Sequence, residues 1–342
     1  MKRKLLALTA ILLALTVTFG GCENIMLIPG KSSGAIADDS SSSQNSESLS
    51  AYPVTLNNTE ITKAPEKIVS LTPAYTEILF EMGYGKKITA VSDYCDYPES
   101  VKELPKAASS ANPDIAAIKK LKPDLVITAT PIVTKDKISL EAQGIKVLVI
   151  PSPRSIEEFE NVYKFFGLAM NGQFDGEAAG EKAFSPIKKQ LDAIKKTDKK
   201  FIYVTAANTP AGGDTFESAV LSLFGTNIAE SSSGYSYKAA DLADNQPDII
   251  FVSDTIGEDT LTANENYSDL KAVKDGKITV LKNKYFERPS GRITELIGTA
   301  AKAFGVDLSD KAEPENSSAP ATESENSSDT KNSSKEDSKA TE

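Results

Sequence analysis

Short apolar runs rich in β-branched residues recur through the middle of the chain and alternate with longer amphipathic stretches. Runs of this length, bounded by Gly, Pro or Asp, are typical of buried strands. The pattern predicts seven strands: Lys67–Leu71, Ile88–Ser92, Leu125–Thr130, Lys146–Ile150, Phe201–Thr205, Ile249–Ser253 and Ile278–Leu281. Strands that alternate with helices pair in parallel and are covered on both faces, so we expect an α/β fold.

Two of the amphipathic stretches have recognisable helix starts. Thr72 and Pro73 stand before an apolar stripe that stops at Gly83, which predicts a capped helix with Pro in its first turn. Ser155 is followed three residues later by Glu158, a capping-box pattern that predicts a second helix start. These boundaries support the alternation of strands and helices.

A third amphipathic stretch, at about 177–197, spaces its apolar residues three and four apart, as one stripe of a helix requires. Pro186 lies inside this stretch and cannot donate a helical hydrogen bond. We therefore expect either a kink there or a new helix that begins with Ser185 as its cap. This helix is predicted to connect the regions before and after it.

One pattern occurs twice, at an offset of 124 residues. A helical stretch, a Pro-Asp turn and an apolar strand follow one another around Pro123-Asp124 and again around Pro247-Asp248. Such a repeat predicts two related α/β lobes. The predicted organisation is a signal peptide at 1–21, a Ser-rich tether at 22–60, an N-terminal lobe at 61–172, a helical connector at 173–199, a C-terminal lobe at 200–310 and an acidic Ser-rich tail at 311–342.

The chain begins with a basic segment and an apolar run that stops at Gly20-Gly21-Cys22. The run is shorter than the roughly 20 residues needed to span a bilayer. Small residues directly before a cysteine resemble a bacterial lipoprotein signal, so Cys22 is predicted to be lipidated; a plain secretory signal or an N-terminal anchor helix is the alternative. The tether and the tail are too poor in large apolar residues to offset ordering entropy, and we expect them to be disordered.

The composition excludes several kinds of site. There is no histidine, so Ser-His-Asp and Cys-His nucleophiles and His-ligated zinc or haem are unavailable. The 38 basic residues against 48 acidic ones give a net charge of −10, which argues against a nucleic-acid partner. No phosphate-binding loop or nucleophile elbow is present either. We therefore expect neither an enzyme nor a resident metal or cofactor.

Four segments resemble, in chain order, the cobalamin/ferric-siderophore substrate-binding proteins of ABC importers. They are Lys67–Leu79, Val91–Pro98, Leu121–Val126 and Tyr285–Ile293, the last being most similar to the vitamin B12-binding branch. The resemblance implies two Rossmann-like lobes with mainly parallel sheets, joined by a long helical connector, with the ligand cleft between the lobes.

The same resemblance implies a function. A lipid-anchored monomer on the extracytoplasmic face of the cell membrane is expected to capture a corrinoid or a ferric-siderophore chelate and deliver it to an ABC permease with its ATPase. The Tyr94 and Phe286–Arg288 segments favour the corrinoid, although a cleft with Tyr, Arg and Lys would also suit an anionic siderophore. The alternative is a surface ligand scavenger or interaction lipoprotein on the same scaffold.

Ligands of open α/β sheets bind outside the carboxyl ends of the strands. The predicted ligand contacts are Tyr75, Tyr94, Tyr97, Asn208, Tyr235, Tyr237 and Arg288. Arg288 matches a ligand-contacting arginine of the B12 branch; its alternative role is a surface ion pair with Glu287 or Glu295. For Tyr97, Tyr235 and Tyr237 the alternative is packing against a lobe.

Permease docking is predicted from a departure from the family pattern. Family members usually present one glutamate on each lobe to permease arginines, and the matching positions here are Ala116 and Ala240. The nearby Asp114 and Asp241 are expected to take over this role. Cys95, the second cysteine, is expected to be a packing residue rather than a metal ligand.

Overall fold

Ten strands and nine α-helices are formed by residues 50–309, the part of the chain that the computed structural model describes. The strands are β1 (Val54–Leu56), β2 (Thr59–Ile61), β3 (Ile68–Ser70), β4 (Ile88–Val91), β5 (Leu125–Thr128), β6 (Lys146–Val149), β7 (Lys200–Val204), β8 (Thr226–Asn227), β9 (Ile249–Ser253) and β10 (Ile278–Leu281). The helices are α1 (Pro73–Glu81), α2 (Ile115–Leu121), α3 (Thr134–Glu141), α4 (Ile156–Asp192), α5 (Phe216–Leu221), α6 (Gly257–Ala263), α7 (Lys271–Lys274), α8 (Lys284–Glu287) and α9 (Ile293–Phe304). The predicted signal peptide, Cys22 and the tail at 311–342 lie outside the described residues. Within residues 50–309, no helix combines the length and apolar character needed to cross a membrane.

Two four-stranded parallel sheets form the centres of the two lobes. Their strand orders are β4-β3-β5-β6 and β10-β9-β7-β8. Counted from the first strand of each lobe, both orders are the same, which agrees with the internal repeat. All seven predicted strands and the α/β class are confirmed; the short strand β8 was not predicted.

The repeated Pro-Asp turn has the same structural role in both lobes. The Asp124 carboxylate accepts hydrogen bonds from the backbone amides of Glu66 (2.8 Å) and Lys67 (2.9 Å). The Asp248 carboxylate accepts one from the amide of Lys200 at 2.8 Å. In each lobe the aspartate therefore ties the start of one central strand to the start of its neighbour.

The strands β1 and β2 form a hairpin where the tether was predicted to continue to residue 60, so that boundary is wrong. Asn57 and Asn58 adopt left-handed φ angles of 44° and 62°, the backbone that a tight two-residue hairpin turn requires. The Thr59 hydroxyl donates to the carbonyl of Val147 at 2.9 Å, and the apolar side chains of both strands are buried. The alternating apolar residues around Asn-Asn were the signal for this hairpin.

The long helix α4 is a hairpin of two helical arms. Gly172 interrupts it with φ 77° and ψ −172°, and the arms at 156–171 and 173–192 fold back against each other. Ser155 caps the first arm, its hydroxyl accepting from the Glu158 amide at 3.1 Å, as the capping box predicted. The second arm is the helical connector. It continues through Pro186 with helical backbone angles, so the alternative of a new helix that begins with Ser185 as its cap is wrong.

Glycines allow the two arms of α4 to approach each other closely. A methyl group on Gly167 would overlap the carbonyl oxygen of Gly176, and one on Gly180 would lie 2.5 Å from the Cα of Lys164. Beside this contact, the ring centroids of Phe159 and Phe184 are 5.3 Å apart in an edge-to-face arrangement. The hairpin is therefore held by backbone contact and aromatic packing.

The inner faces of both sheets share one apolar core with α1, α4 and α9. Ile127 of the N-terminal sheet and Phe251 of the C-terminal sheet both belong to it, and both are fully buried. The outer face of each sheet has a separate core of its own. The lobes are thus joined by continuous packing as well as by the connector.

Replacing Gly167 by Ala is expected to lower the free energy of unfolding by about 2–3 kcal/mol, because the new methyl group must push the arms of α4 apart. Urea unfolding measures this change. The matched control is Gly298→Ala in α9, where a methyl group meets nothing closer than 4.0 Å. That change should be neutral or stabilise the protein by about 0.5–1 kcal/mol. Equal stabilities of the two variants would contradict close packing of the arms.

Candidate functional site

A cavity of about 640 Å³ lies between the two lobes at the carboxyl ends of their sheets. The segment after β6 forms one wall, and the start of α5, the loop at 233–235 and α8 form the other. The lining residues are Pro151, Ser152, Pro153, Arg154, Asp214, Thr215, Phe216, Glu217, Ser233, Gly234, Tyr235, Phe286 and Glu287. The cleft therefore lies where the topology of the sheets predicts it.

Tyr235 and Glu217 form a polar pair in the C-terminal wall. The Tyr235 hydroxyl donates to Glu217 Oε1 at 3.0 Å, while the residue as a whole remains 49% exposed. Burial, followed by the negative charge of Glu217, raises the pKa of Tyr235 to about 12. The phenol is therefore protonated at neutral pH and acts as a fixed hydrogen-bond donor.

Asp214 holds the loop at 233–235 against the start of α5. Its carboxylate accepts from the Ser233 hydroxyl at 2.6 Å and from the Gly234 amide at 2.5 Å. These two donors lower the pKa of Asp214, and the charge of Arg154 lowers it further. Thr215 then caps α5 by accepting from the Ser218 amide at 3.2 Å. The wall that carries Tyr235 is built from these contacts.

Arg154 brings positive charge to the opposite wall. It follows β6 and its backbone amide donates to Glu158 Oε2 at 2.7 Å, which fixes the segment before α4. Its guanidinium is exposed and makes no ion pair within 4.0 Å among residues 50–309. Across the cleft, Glu287 accepts from the Asn283 amide group at 2.7 Å.

A buried carboxylate of α1 joins the lobes beside the cleft. Glu77 is 1% exposed, accepts from the Ser290 hydroxyl at 2.6 Å and from Arg292 Nε at 2.8 Å, and makes a second contact with Arg292 Nη2. Ser290 and Arg292 belong to the segment between α8 and α9 of the other lobe. We call this set of contacts, together with those of Glu81, the interlobe latch.

Glu81 lies one turn further along α1 and completes the latch. Its carboxylate accepts from the Tyr163 hydroxyl at 2.7 Å and from the Gly291 amide at 2.9 Å. Burial raises the pKa of Glu81, while these two donors oppose that shift. Since Tyr163 belongs to α4, the latch connects α1, α4 and the segment after α8.

Arg288 makes a further contact between the lobes. Its Nη1 lies 2.6 Å from Asp96 Oδ1, and nearby the Arg292 guanidinium packs over the Tyr97 ring at 4.4 Å. The alternative role given to Arg288, an ion pair, is therefore present. Its partner is Asp96 of the opposite lobe rather than Glu287 or Glu295.

The profile of the family described as periplasmic binding protein matches residues 68–285. The chain belongs to this family. Among its relatives, an uncharacterized ABC transporter substrate-binding lipoprotein, YvrC, of Bacillus subtilis (strain 168) is 26% identical over 322 residues, which cover 89% of this chain and 98% of the relative. A vitamin B12-binding protein of Vibrio campbellii is 26% identical over 274 residues, covering 74% of this chain and 95% of that protein.

Solved periplasmic binding proteins share the fold. The periplasmic vitamin B12 binding protein BtuF of Vibrio cholerae has a TM-score of 0.58 at 23% identity, covering 71% of this chain and 97% of that one. The periplasmic heme binding protein HutB of the same species has a TM-score of 0.60 at 20% identity, covering 70% and 97%. The two-lobed architecture with a cleft between the lobes is thereby confirmed. As a periplasmic binding protein the chain binds a substrate for transport and is not an enzyme.

The predicted ligand contacts of this periplasmic binding protein separate into cleft, surface and core positions. Tyr235 lines the cleft, and Tyr94 is 65% exposed after β4. Tyr97 is exposed on one face and packs against Arg292 on the other. Tyr237 packs against the outer core of the C-terminal lobe, which is the alternative given for it.

Tyr75, one of the predicted ligand contacts, points into the core instead of the cleft. The residue is 1% exposed, and its hydroxyl donates to the carbonyl of Ile150 at 2.5 Å. Its ring packs edge-to-face on Phe166 of α4. Tyr75 therefore supports the segment after β6 from the side of the core and does not line the cleft.

The remaining predicted residues lie away from the cavity. Asn208 follows β7 with a left-handed φ of 59°, and its carbonyl accepts from the Tyr267 hydroxyl at 3.0 Å. Asp114 and Asp241 are exposed, and Asp114 also caps α2 by accepting from the Ala117 amide at 2.9 Å. Cys95 is buried with its Sγ 3.3 Å from Thr76 Oγ1.

The charged residues of the cleft were not predicted as ligand contacts. The cavity is lined by Arg154, Asp214, Glu217 and Glu287, and of these the sequence had suggested a role only for Glu287, as an ion-pair partner of Arg288. Arg154 lies in the short segment between the predicted strand Lys146–Ile150 and the predicted cap Ser155, which was a usable signal. Glu217 had no such signal, because α5 is too short to show a clear helical pattern.

Replacing Arg292 by Met is expected to lower the free energy of unfolding by about 3–5 kcal/mol, because the buried carboxylate of Glu77 loses its cation. Chemical denaturation measures this loss. The control is Arg288→Met, whose partner Asp96 is half exposed, so a change of about 1 kcal/mol or less is expected. If both variants lost the same stability, the latch would not be the stronger of the two contacts.

Proposed function

We propose that this protein captures a corrinoid or a ferric-siderophore chelate in the interlobe cleft and delivers it to an ABC permease with its ATPase. The observation that carries the proposal is the cavity of about 640 Å³ with walls from both lobes. Its volume falls within the range of about 300–1,000 Å³ that is usual for small-molecule sites. Exposed aromatic and polar tips in its walls suit a bulky guest with amide or carbonyl groups.

The relatives support the transport role. The B. subtilis relative is named a substrate-binding lipoprotein of an ABC transporter, and several relatives are named vitamin B12-binding proteins. Similar structures are named for vitamin B12, heme and Fe³⁺-hydroxamate. Since all these guests are large chelates of a metal, the class of ligand rather than one ligand is proposed.

A lipid anchor at Cys22 on the extracytoplasmic face of the membrane belongs to the same proposal. The chain before β1 joins the N-terminal lobe at the bend of α4, where the Gln173 amide donates to the carbonyl of Ala51 at 2.9 Å. The Tyr52 hydroxyl donates to the carbonyl of Ala169 at 3.0 Å. An anchored segment would therefore be connected to the N-terminal lobe at this bend.

A surface scavenger that does not serve a permease is the second candidate. The exposed Ala116 and Ala240 favour it, because neither can make the charged contacts expected with a permease. Docking through Asp114 and Asp241 is the competing proposal. Whether these two aspartates are needed for uptake therefore distinguishes delivery to a permease from scavenging.

The double change Asp114→Asn and Asp241→Asn is expected to lower chelate uptake by cells at least fivefold while leaving chelate binding by the purified protein unchanged. Loss of two charges weakens electrostatic docking, whereas asparagine keeps the cap of α2. Uptake of radiolabelled chelate measures the effect, with Asp244→Asn as the control. Full uptake by the double variant would remove these aspartates from docking.

Arg288→Ala is expected to weaken chelate binding at least tenfold, about 1.4 kcal/mol, since the edge of the cleft loses its contact with Asp96 of the opposite lobe. Titrating residues 23–342 with cyanocobalamin, cobinamide, haemin and a ferric trihydroxamate, followed by tyrosine fluorescence, measures this. Lys284→Ala, at the start of the preceding helix α8, is the control. An unchanged affinity would exclude Arg288 from the site, and no binding of any chelate would refute the proposed function.

A further inference from the structure

The arginines of the interlobe region are already compensated. Arg292 is paired with the buried Glu77, and Arg288 lies 2.6 Å from Asp96. Neither is therefore available as an unpaired positive charge for a ligand. Among the described residues that line the cavity, Arg154 is the only one with a positive charge.

The carboxylates of the cleft, in contrast, are held by neutral donors. Glu217 accepts from the Tyr235 hydroxyl, and Glu287 accepts from the side-chain amide of Asn283. Asp214 accepts from a serine hydroxyl and a backbone amide. Neutral donors orient a carboxylate but leave its negative charge in place, so the cavity carries three negative charges against one positive charge.

These charges lie close together around the cavity. Burial, together with the negative charges of all three carboxylates, raises the pKa of Tyr235 to about 12. Glu217 is also nearly buried, so water screens its charge less than it would at an open surface. A negatively charged guest in this cavity would be repelled at short range, and the net charge of −10 would repel it at longer range.

We infer that the cleft selects neutral or positively charged chelates and rejects anionic ones, with Glu217 and Glu287 as specificity-determining residues; this inference rests on the proposed function. Their carboxylates also match the chemistry of an accepted guest, because they can accept hydrogen bonds from peripheral amide or ammonium groups. An anionic siderophore, one of the guests compatible with the sequence, is therefore disfavoured.

A charge series on one chelate scaffold tests the inference by calorimetry with residues 23–342. The ferric complex of desferrioxamine B has one positive charge, its N-acetyl derivative has none, and its N-succinyl derivative has one negative charge. For a protein that accepts only corrinoids, cyanocobalamin and its monocarboxylic acid form the equivalent pair. We expect the anionic member to bind at least tenfold more weakly than the neutral one. Added salt should narrow this gap.

The double change Glu217→Gln and Glu287→Gln keeps one acceptor oxygen in each side chain and removes both negative charges. It should therefore reduce the discrimination against the anionic chelate at least fivefold. Glu287→Gln alone, at an exposed position, tests the same effect if the double variant does not fold. The control Glu265→Gln removes one exposed carboxylate of the same lobe and should leave the charge order unchanged.

The two proposals fail in different ways. Binding of the anionic and neutral members with equal affinity, or an unchanged gap in the glutamine variants, would overturn the charge inference while the proposed function stands. Absence of binding by every member of both series would overturn the proposed function and this inference together.

Discussion

The buried carboxylate of Glu77 and its partners from the opposite lobe constrain the rest of the structure. An ionised carboxylate inside a protein is stable only when a cation and hydrogen-bond donors replace the water it has lost. Ser290 and Arg292 supply both, and both come from the segment that follows α8. The lobes cannot move apart at this point without leaving a charge buried and unpaired.

The walls of the cleft depend on that constraint. Glu287 lies immediately before the latch segment, so fixing Arg292 also fixes α8 against the cavity. On the other side, Tyr163 ties the first arm of α4 to Glu81, and the segment with Arg154 leads directly into that arm. Together with the shared inner core, these contacts set the width of the cleft before a guest enters. A preformed site loses less affinity to ordering of the protein.

Much of the fold could be predicted because its signals are local. The seven strands, the capping box at Ser155 and the repeated Pro-Asp turn each show within a few residues, and the structure confirms all of them. The latch could not be predicted, because Glu77 and Arg292 are distant in sequence and a single glutamate on an amphipathic helix looks solvent-exposed. Pro186 was a misleading signal, because the helix continues through it with helical backbone angles and the interruption of α4 is at Gly172.

The candidate site differs from the expected one because the sequence shows which residues carry a charge but not which of these charges are paired with an opposite one. In sequence, Arg288 was the predicted cationic contact, and a cleft with Tyr, Arg and Lys left an anionic siderophore open as an alternative to the corrinoid. In the structure Arg288 and Arg292 pair with acids of the opposite lobe, so they hold the lobes together instead of facing a guest. The acids that do face the cavity are oriented by tyrosine, asparagine, serine and backbone amides, none of which cancels their charge. The same pairing that fixes the lobes therefore leaves the cleft negative, which links the mechanical role of the latch to the selectivity of the site.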